Sequence, residues 1–350
     1  MRTRLAAIAF FIIFRAFDLI AQEDQFIDTD KVAEQFKLML ERPHVAFSPS
    51  LEVVKADSII VEKGYIFSEL EEKVPILIYK PVRATQQLFP AVICLHGTGG
   101  SKSQKDILEI LKGLCRRGIM GISIDARYHG DRIRQSKSNY VDAISRAWQN
   151  SDPARQEHPF FYDTVYDIWR LTDYLVTRPD VDAKRIGMTG ISMGGIETWM
   201  AASVDKRIKV AVPMIAAQSF KWSLENDLWQ GRARTIWAAH VQTAKDLGDS
   251  VVKKENVKTL WDKVVPGITS QFDCPSMVRL FAPRPLLFLS SEKDLNCPLE
   301  GAKLAFKAAT EAYNSANSAE KLKIYVAPNQ PHRVTPEHIE MMFNWFSRWL

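Results

Sequence analysis

From residue 91 onward, short apolar runs alternate with helix-periodic segments, and this alternation restricts the fold more than any other feature. Residues 91–95 are an unbroken apolar run, His96-Gly97-Thr98-Gly99-Gly100 breaks it, and Ile107, Leu108, Ile110 and Leu111 mark one helical face. The pattern continues with a strand at 119–124, a helix at 163–176, a strand at 185–188, a helix beginning at Ser192 and a strand at 210–214. After an interval come a strand at 285–289, a helix at 299–313, a strand at 322–326 and a final helix. Buried strands separated by helices of this length predict an α/β fold, a mostly parallel central sheet with helices on both faces. Two strands rich in β-branched residues, 58–67 and 74–79, would open the sheet. The last helix is well punctuated: Thr335 can cap it, Pro336 takes the first helical position and Glu337 complements the dipole.

Residues 218–275 do not follow the alternation. They are helical in flavour, show no clear strand and hold Trp222, Trp229, Trp237 and Trp261, four of the nine tryptophans. This segment is expected to be a helical cap inserted above the sheet. Trp222 and Trp229, with Phe161, are candidates to line a substrate pocket, although aromatics pack a cap onto a sheet as readily. With 46% hydrophobic residues the chain has ample material for a large core. Its 46 basic and 41 acidic residues leave a net charge of +5, with the two signs finely interleaved and no long basic run. That balance argues against a nucleic acid or strongly acidic partner.

Arg2 and Arg4 precede an apolar run at 5–14 that Arg15 interrupts, too short for a stable membrane span. The charged start, the short run and Ala21-Gln22 ahead of Glu23-Asp24 predict a signal peptide over 1–21, cleaved after Ala21, and a secreted or periplasmic protein. The Arg-rich, acid-free stretch to Phe17 would also suit organelle targeting, and a packed N-terminal helix would leave the protein in the cytoplasm. The expected organisation is then an N-terminal extension at 22–57 and one domain at 58–350 interrupted by the cap. Cys94, Cys115, Cys274 and Cys297 have neither zinc-site spacing nor the density of a disulfide scaffold.

The strongest chemical signal is Gly190-Ile191-Ser192-Met193-Gly194, followed by Gly195, between a predicted strand and a predicted helix. This context makes it a nucleophile elbow, a strained turn that projects Ser192 Oγ into a cleft while glycines let the turn close. The glycine-rich loop at 96–100 opens a helix in the same way, so the backbone N–H groups of Thr98 and Met193 are the expected oxyanion donors. It matches neither a P-loop nor a dinucleotide fingerprint, and His96 reads as a brace of the loop. A nucleophilic serine needs a base and an orienting acid, which in this architecture follow in the order Ser, Asp or Glu, His. After the strand at 285–289, Asp294 is the expected acid and Glu292 the alternative; after the strand at 322–326, His332 is the expected base, since His338 falls inside the last helix. Arg127, His129 and Arg132 read as a salt-bridged loop brace more than as substrate contacts. No histidine pair forms an H-E-x-x-H motif, so no catalytic metal is expected.

At these residues the chain resembles the α/β-hydrolase superfamily. Asp182-x-x-Arg185-Ile186-Gly187 leading into the elbow, 125–130 (Asp-Ala-Arg-Tyr-His-Gly) and Ala282-Pro283-Arg284-Pro285 are similar to the dienelactone-hydrolase, acetyl-xylan-esterase and prolyl-oligopeptidase group. The resemblance implies a serine hydrolase with Ser192, Asp294 and His332 as triad and no cofactor. The expected function is hydrolysis of small-molecule carboxylic esters through an acyl-enzyme, with a thioesterase or a prolyl-oligopeptidase-like peptidase as same-fold alternatives. With the sheet starting near Ser58, the β-propeller of the large peptidases is not expected ahead of it. A catalytically silent binding module is the alternative from another class, and the pattern specifies no oligomeric state.

Overall fold

The computed structural model describes residues 29–56, 59–82 and 88–350. The apolar leader and the expected cleavage after Ala21 lie outside the described residues. Nine strands form one sheet: β1 (Ser50–Ala56), β2 (Ile59–Phe67), β3 (Lys73–Pro81), β4 (Phe89–Leu95), β5 (Met120–Ile124), β6 (Val181–Ile191), β7 (Ile208–Met214), β8 (Leu286–Ser291) and β9 (Leu322–Ala327). Their order is β1-β2-β3-β5-β4-β6-β7-β8-β9. The pairs from β1 to β5 are antiparallel and all pairs from β5-β4 onward are parallel. The helices in chain order are α1 (Thr29–Met39), α2 (Lys105–Arg116), α3 (Asp131–Ser136), α4 (Tyr140–Gln149), α5 (Tyr162–Thr177), α6 (Met193–Val204), α7 (Phe220–Glu225), α8 (Gln230–Arg234), α9 (Trp237–Asp246), α10 (Lys254–Val264), α11 (Cys274–Val278), α12 (Leu299–Ser315) and α13 (Pro336–Trp349).

Helices cover both faces, so the parallel strands have no solvent side. All seven residues of β4 are buried; Ala91, Ile93 and Leu95 enter one core while Val92 and Cys94 enter the other, the two-residue period of a doubly covered strand. The second core is closed by α2, whose Ile107, Ile110, Leu111 and Leu114 form one stripe, and by Met342, Phe343 and Phe346 of α13. The first core takes α5, α6 and α12. Every residue of α6 is buried, because it lies between the sheet on one side and α1 and α11 on the other.

The sheet opens one strand earlier than 58–67. β1 pairs antiparallel along β2, Ser50 opposite Tyr65 and Ala56 opposite Ile59. Ahead of it, α1 and the residue that follows it bury Val32, Phe36 and Leu40 at four-residue spacing, and the Phe36 ring meets Tyr162, Trp169 and Phe272 edge-on. Truncating such a buried aromatic costs about 3–5 kcal/mol, so from Thr29 onward the supposed extension is part of the domain. Between β7 and β8 the chain runs through α7 to α11 without a strand. Trp261 is fully buried against Phe220 and His240 of the same segment, Phe220 meets Phe161 of the body edge-on, and Trp229 lies in the first core. Among the described residues no helix is long and apolar enough to cross a membrane, and all four cysteines are buried and unpaired.

Candidate active site

β6 ends at Ile191, and Ser192 starts the turn into α6 with φ +53° and ψ −108°. This conformation costs a non-glycine residue about 1–3 kcal/mol and persists only where the surroundings enforce it. Here Ser192 N–H donates to Met214 O at 2.9 Å, and Gly194 N–H donates to His96 O at 3.1 Å. Space dictates the glycines. A Cβ on Gly190 would lie 2.2 Å from Gly194 O, one on Gly194 2.6 Å from His96 O, and one on Gly195 2.5 Å from Ala216 Cβ.

β4 pairs with β6 so that Leu95 stands opposite Gly190, and the loop after β4 therefore begins level with the elbow. Burial lowers the pKa of His96 and keeps its ring neutral. Its Nδ1–H donates to Gly97 O at 2.8 Å and its Nε2 accepts from Ala126 N–H at 3.1 Å, the bracing role expected of it. Farther along, the Asp125 carboxylate takes both the N–H and the Nζ of Lys102 at 2.8 Å, and Asp131 N–H at 2.9 Å. Between these anchors, Thr98 N–H and Met193 N–H have no protein acceptor among the described residues.

The other side of the site comes from the turns after β8 and β9. Asp294 Oδ1 accepts from Asn296 N–H and Cys297 N–H, both at 2.8 Å, which leaves Oδ2 for His332 Nδ1 at 2.7 Å. His332 Nε2 lies 2.7 Å from Ser192 Oγ. The Asp294 side chain is 1% exposed and the His332 ring 22%, so the acid is shielded while the base faces the cleft. Glu292 does not reach the histidine; it accepts Asn329 N–H at 2.6 Å and staples the two turns together. Lys293 N–H adds a bond to Gln330 O at 2.8 Å. Thr335 caps α13 as its position suggests, with His338 as the reciprocal partner; His338 Nε2–H also donates to Ser290 O at 3.1 Å, so this histidine is structural.

Ser192 and His332 open into a cleft that Thr98, Ile215, Thr235, Asn296, Arg333 and Ile339 also line. Phe161, Trp222 and Trp229 do not line it. The Phe161 ring stacks on Phe160 at 3.9 Å and abuts Phe220, Trp229 is in the core, and Trp222 is half-buried on α7. Phe161 and Trp229 are thus taken up by packing, and the cleft wall falls to Thr235 and to the starts of α2 and α13. Those residues carry no motif, and only folding brings them together.

Arg127 and Arg132 converge on buried Asp167, Arg127 Nε at 2.8 Å and Arg132 Nη1 at 2.7 Å, and so brace the loop after β5. Although burial raises the Asp167 carboxyl, these two cations hold it far below the usual carboxylate range. Asp294, Cys297 and His332 bring three potential metal-ligating atoms within 4.8 Å of one another. Hydrogen bonds already account for them: both Asp294 oxygens are engaged, and the Cys297 thiol, pushed up to about 12 by burial, donates to Ile215 O at 3.2 Å.

Comparison with known proteins agrees with this geometry. The model of the acetyl xylan esterase family (AXE1) matches residues 42–220, from just ahead of β1 through the elbow. A curated relative from Bacillus subtilis (strain 168), named "Putative hydrolase YtaP", is 25% identical over 287 residues, covering 79% of this chain and 83% of that one. An acetyl xylan esterase from Paenibacillus sp. R4 superposes with a TM-score of 0.66 at 20% identity, covering 93% of this chain and 95% of that one. Acetyl xylan esterase 1 from Thermoanaerobacterium sp. JW/SL YS485 gives 0.66 at 18% identity, covering 92% and 94%. The shared architecture is the α/β-hydrolase fold. The chain belongs to the acetyl xylan esterase family of that superfamily and is a carboxylic-ester hydrolase.

Proposed function

We propose that the protein hydrolyses esters with short acyl groups, acetyl first, through an acyl-enzyme on Ser192. The observation that carries this reading is the hydrogen-bonded line from Ser192 Oγ through His332 to Asp294, with 2.7 Å at each link. His332 Nε2 takes the hydroxyl proton as Oγ attacks the ester carbonyl, and Asp294 holds the Nδ1–H tautomer and stabilises the imidazolium. The oxyanion is received by Thr98 N–H and Met193 N–H, donors of a kind each worth about 2.7–4 kcal/mol in the transition state. His332 returns the proton to the leaving alcohol, then activates water against the acyl-enzyme, and the acid departs. All these groups belong to the chain itself. The family and the acetyl xylan esterases of like fold favour the acetyl group.

The test compares kcat/KM for acetyl, butyryl and long-chain esters, an acetyl thioester and a peptide amide, in wild type and Ser192→Ala. The acetyl ester should lead, and Ser192→Ala should lose about 10⁴- to 10⁶-fold. Wild-type rates in Ser192→Ala would overturn the nucleophile, and a peptide amide cleaved as fast as the acetyl ester would favour the peptidase.

A further inference from the structure

Arg232 differs from other packed arginines of this fold, whose guanidinium groups meet carboxylates or several carbonyls. Arg127 and Arg132 share Asp167, Arg178 pairs with Glu62 and Asp180, and Arg284 donates to the carbonyls of Ala202, Ser203, Asp205 and Ile208. Arg232, on α8 of the insertion, is 1% exposed, yet its guanidinium makes one hydrogen bond, from Nη2 to Cys297 Sγ at 2.9 Å, while Nε and Nη1 have no partner among the described residues. Placing a guanidinium there without a counter-ion is costly, and such groups persist where they act on something nearby.

What lies nearby is the acid turn. Cys297 N–H is one of the two donors to Asp294 Oδ1, and Cys297 Sγ sits within 4.8 Å of an Asp294 oxygen and a His332 ring nitrogen. With the 2.9 Å bond added, the guanidinium is less than ~8 Å from the imidazole, a range over which a buried charge is felt. The same helix presses on the turn directly: a Cβ on Gly231 would lie 1.9 Å from Leu295 O and 3.0 Å from Asn296 N. Behind Arg232 lie Tyr140 of α4, which feels both Arg232 and Glu197, and Glu197 of α6, while Lys105, Asp106, Glu109 and Arg333 line the cleft on the His332 side. Burial pushes Tyr140 and Glu197 toward their neutral forms.

We propose that Arg232 is a positioning residue for the triad: through Cys297 it holds the turn that aims Asp294 at His332. This rests on the triad reading.

The experiment follows kcat and KM for 4-nitrophenyl acetate in Arg232→Met, Arg232→Lys and Cys297→Ala, with circular dichroism and melting curves to verify each fold. Arg232→Met should lower kcat about tenfold with KM nearly unchanged. Arg232→Lys, which can still donate to Cys297 Sγ, should keep most of kcat, and Cys297→Ala should lower it. A folded Arg232→Met with wild-type kcat or with KM raised as much as kcat is lowered, or an Arg232→Lys as impaired as Arg232→Met, overturns the positioning role, and an undiminished kcat in Cys297→Ala overturns the tether. Should Arg232→Met not fold, Arg232→Gln is read by the same criterion. Labelling of wild-type Ser192 by a fluorophosphonate tests the triad separately: an unlabelled serine takes both readings down, whereas a labelled serine with an undiminished kcat in Arg232→Met removes only the role of Arg232.

Discussion

The two halves of the site are held by different physics. On the nucleophile side the backbone is locked by exclusion: three glycines sit where an added Cβ would meet atoms at 2.2–2.6 Å, most of them backbone that cannot step aside. On the base side the chain is held by attraction, through two amides on Asp294, the Glu292 bond to Asn329, the Lys293 bond to Gln330 and the capped start of α13. Exclusion is all-or-none, because one extra carbon has nowhere to go. A set of hydrogen bonds is graded, since each contributes about 1 kcal/mol and the others persist when one is lost.

That contrast breaks most visibly at Gly194. Gly194→Ala should abolish turnover nearly as completely as loss of the serine and should destabilise the fold by about 1–3 kcal/mol, because its Cβ meets the backbone of Leu95 and His96. Urea unfolding and kcat/KM together decide it, and a variant with a tenth of wild-type activity would show that the elbow can give. Next in size is Asp294→Asn, which keeps the shape of the turn but favours the wrong imidazole tautomer; kcat should fall about 10³- to 10⁴-fold with little change in melting temperature. A loss as small as tenfold would mean that His332 is oriented by something else. The smallest effect belongs to Glu292→Gln, whose amide oxygen can still accept Asn329 N–H, and kcat/KM should drop by no more than about threefold. A loss comparable to that of Asp294→Asn would mean that the base side is as brittle as the elbow.

Legibility in the sequence divides along related lines. The elbow, the loop at 96–100 and the order of acid and base are local patterns with a physical reason for each residue, and the geometry brings Ser192, Asp294 and His332 together as expected. Helix α1 escaped notice because its buried Val32 and Phe36 stand among polar residues and an exposed Leu38 that blurs the stripe, and β1 because it is an edge strand that leaves Val53 61% exposed. The cleft wall was misassigned to tryptophans for another reason. Whether an aromatic faces a core or a cleft depends on what packs behind it, and Phe220 claims both Phe161 and Trp261. The contact of Gly231 and Arg232 with the turn at 294–297 joins segments more than sixty residues apart, and no spacing rule announces it.

The register of β4 on β6 has a further consequence. Leu95 lies opposite Gly190, and one residue of strand advance is about 3.3 Å, whereas donors to an oxyanion must fall within a few tenths of an ångström of about 2.9 Å. A slip of a single residue would separate Thr98 from Met193 by roughly ten times that tolerance while leaving every loop sequence intact. The sheet acts as a ruler as well as a scaffold. Insertions are harmless to the chemistry where they lengthen the connections, and ruinous where they lengthen a central strand, so variation among enzymes built this way should accumulate in the former and be purged from the latter.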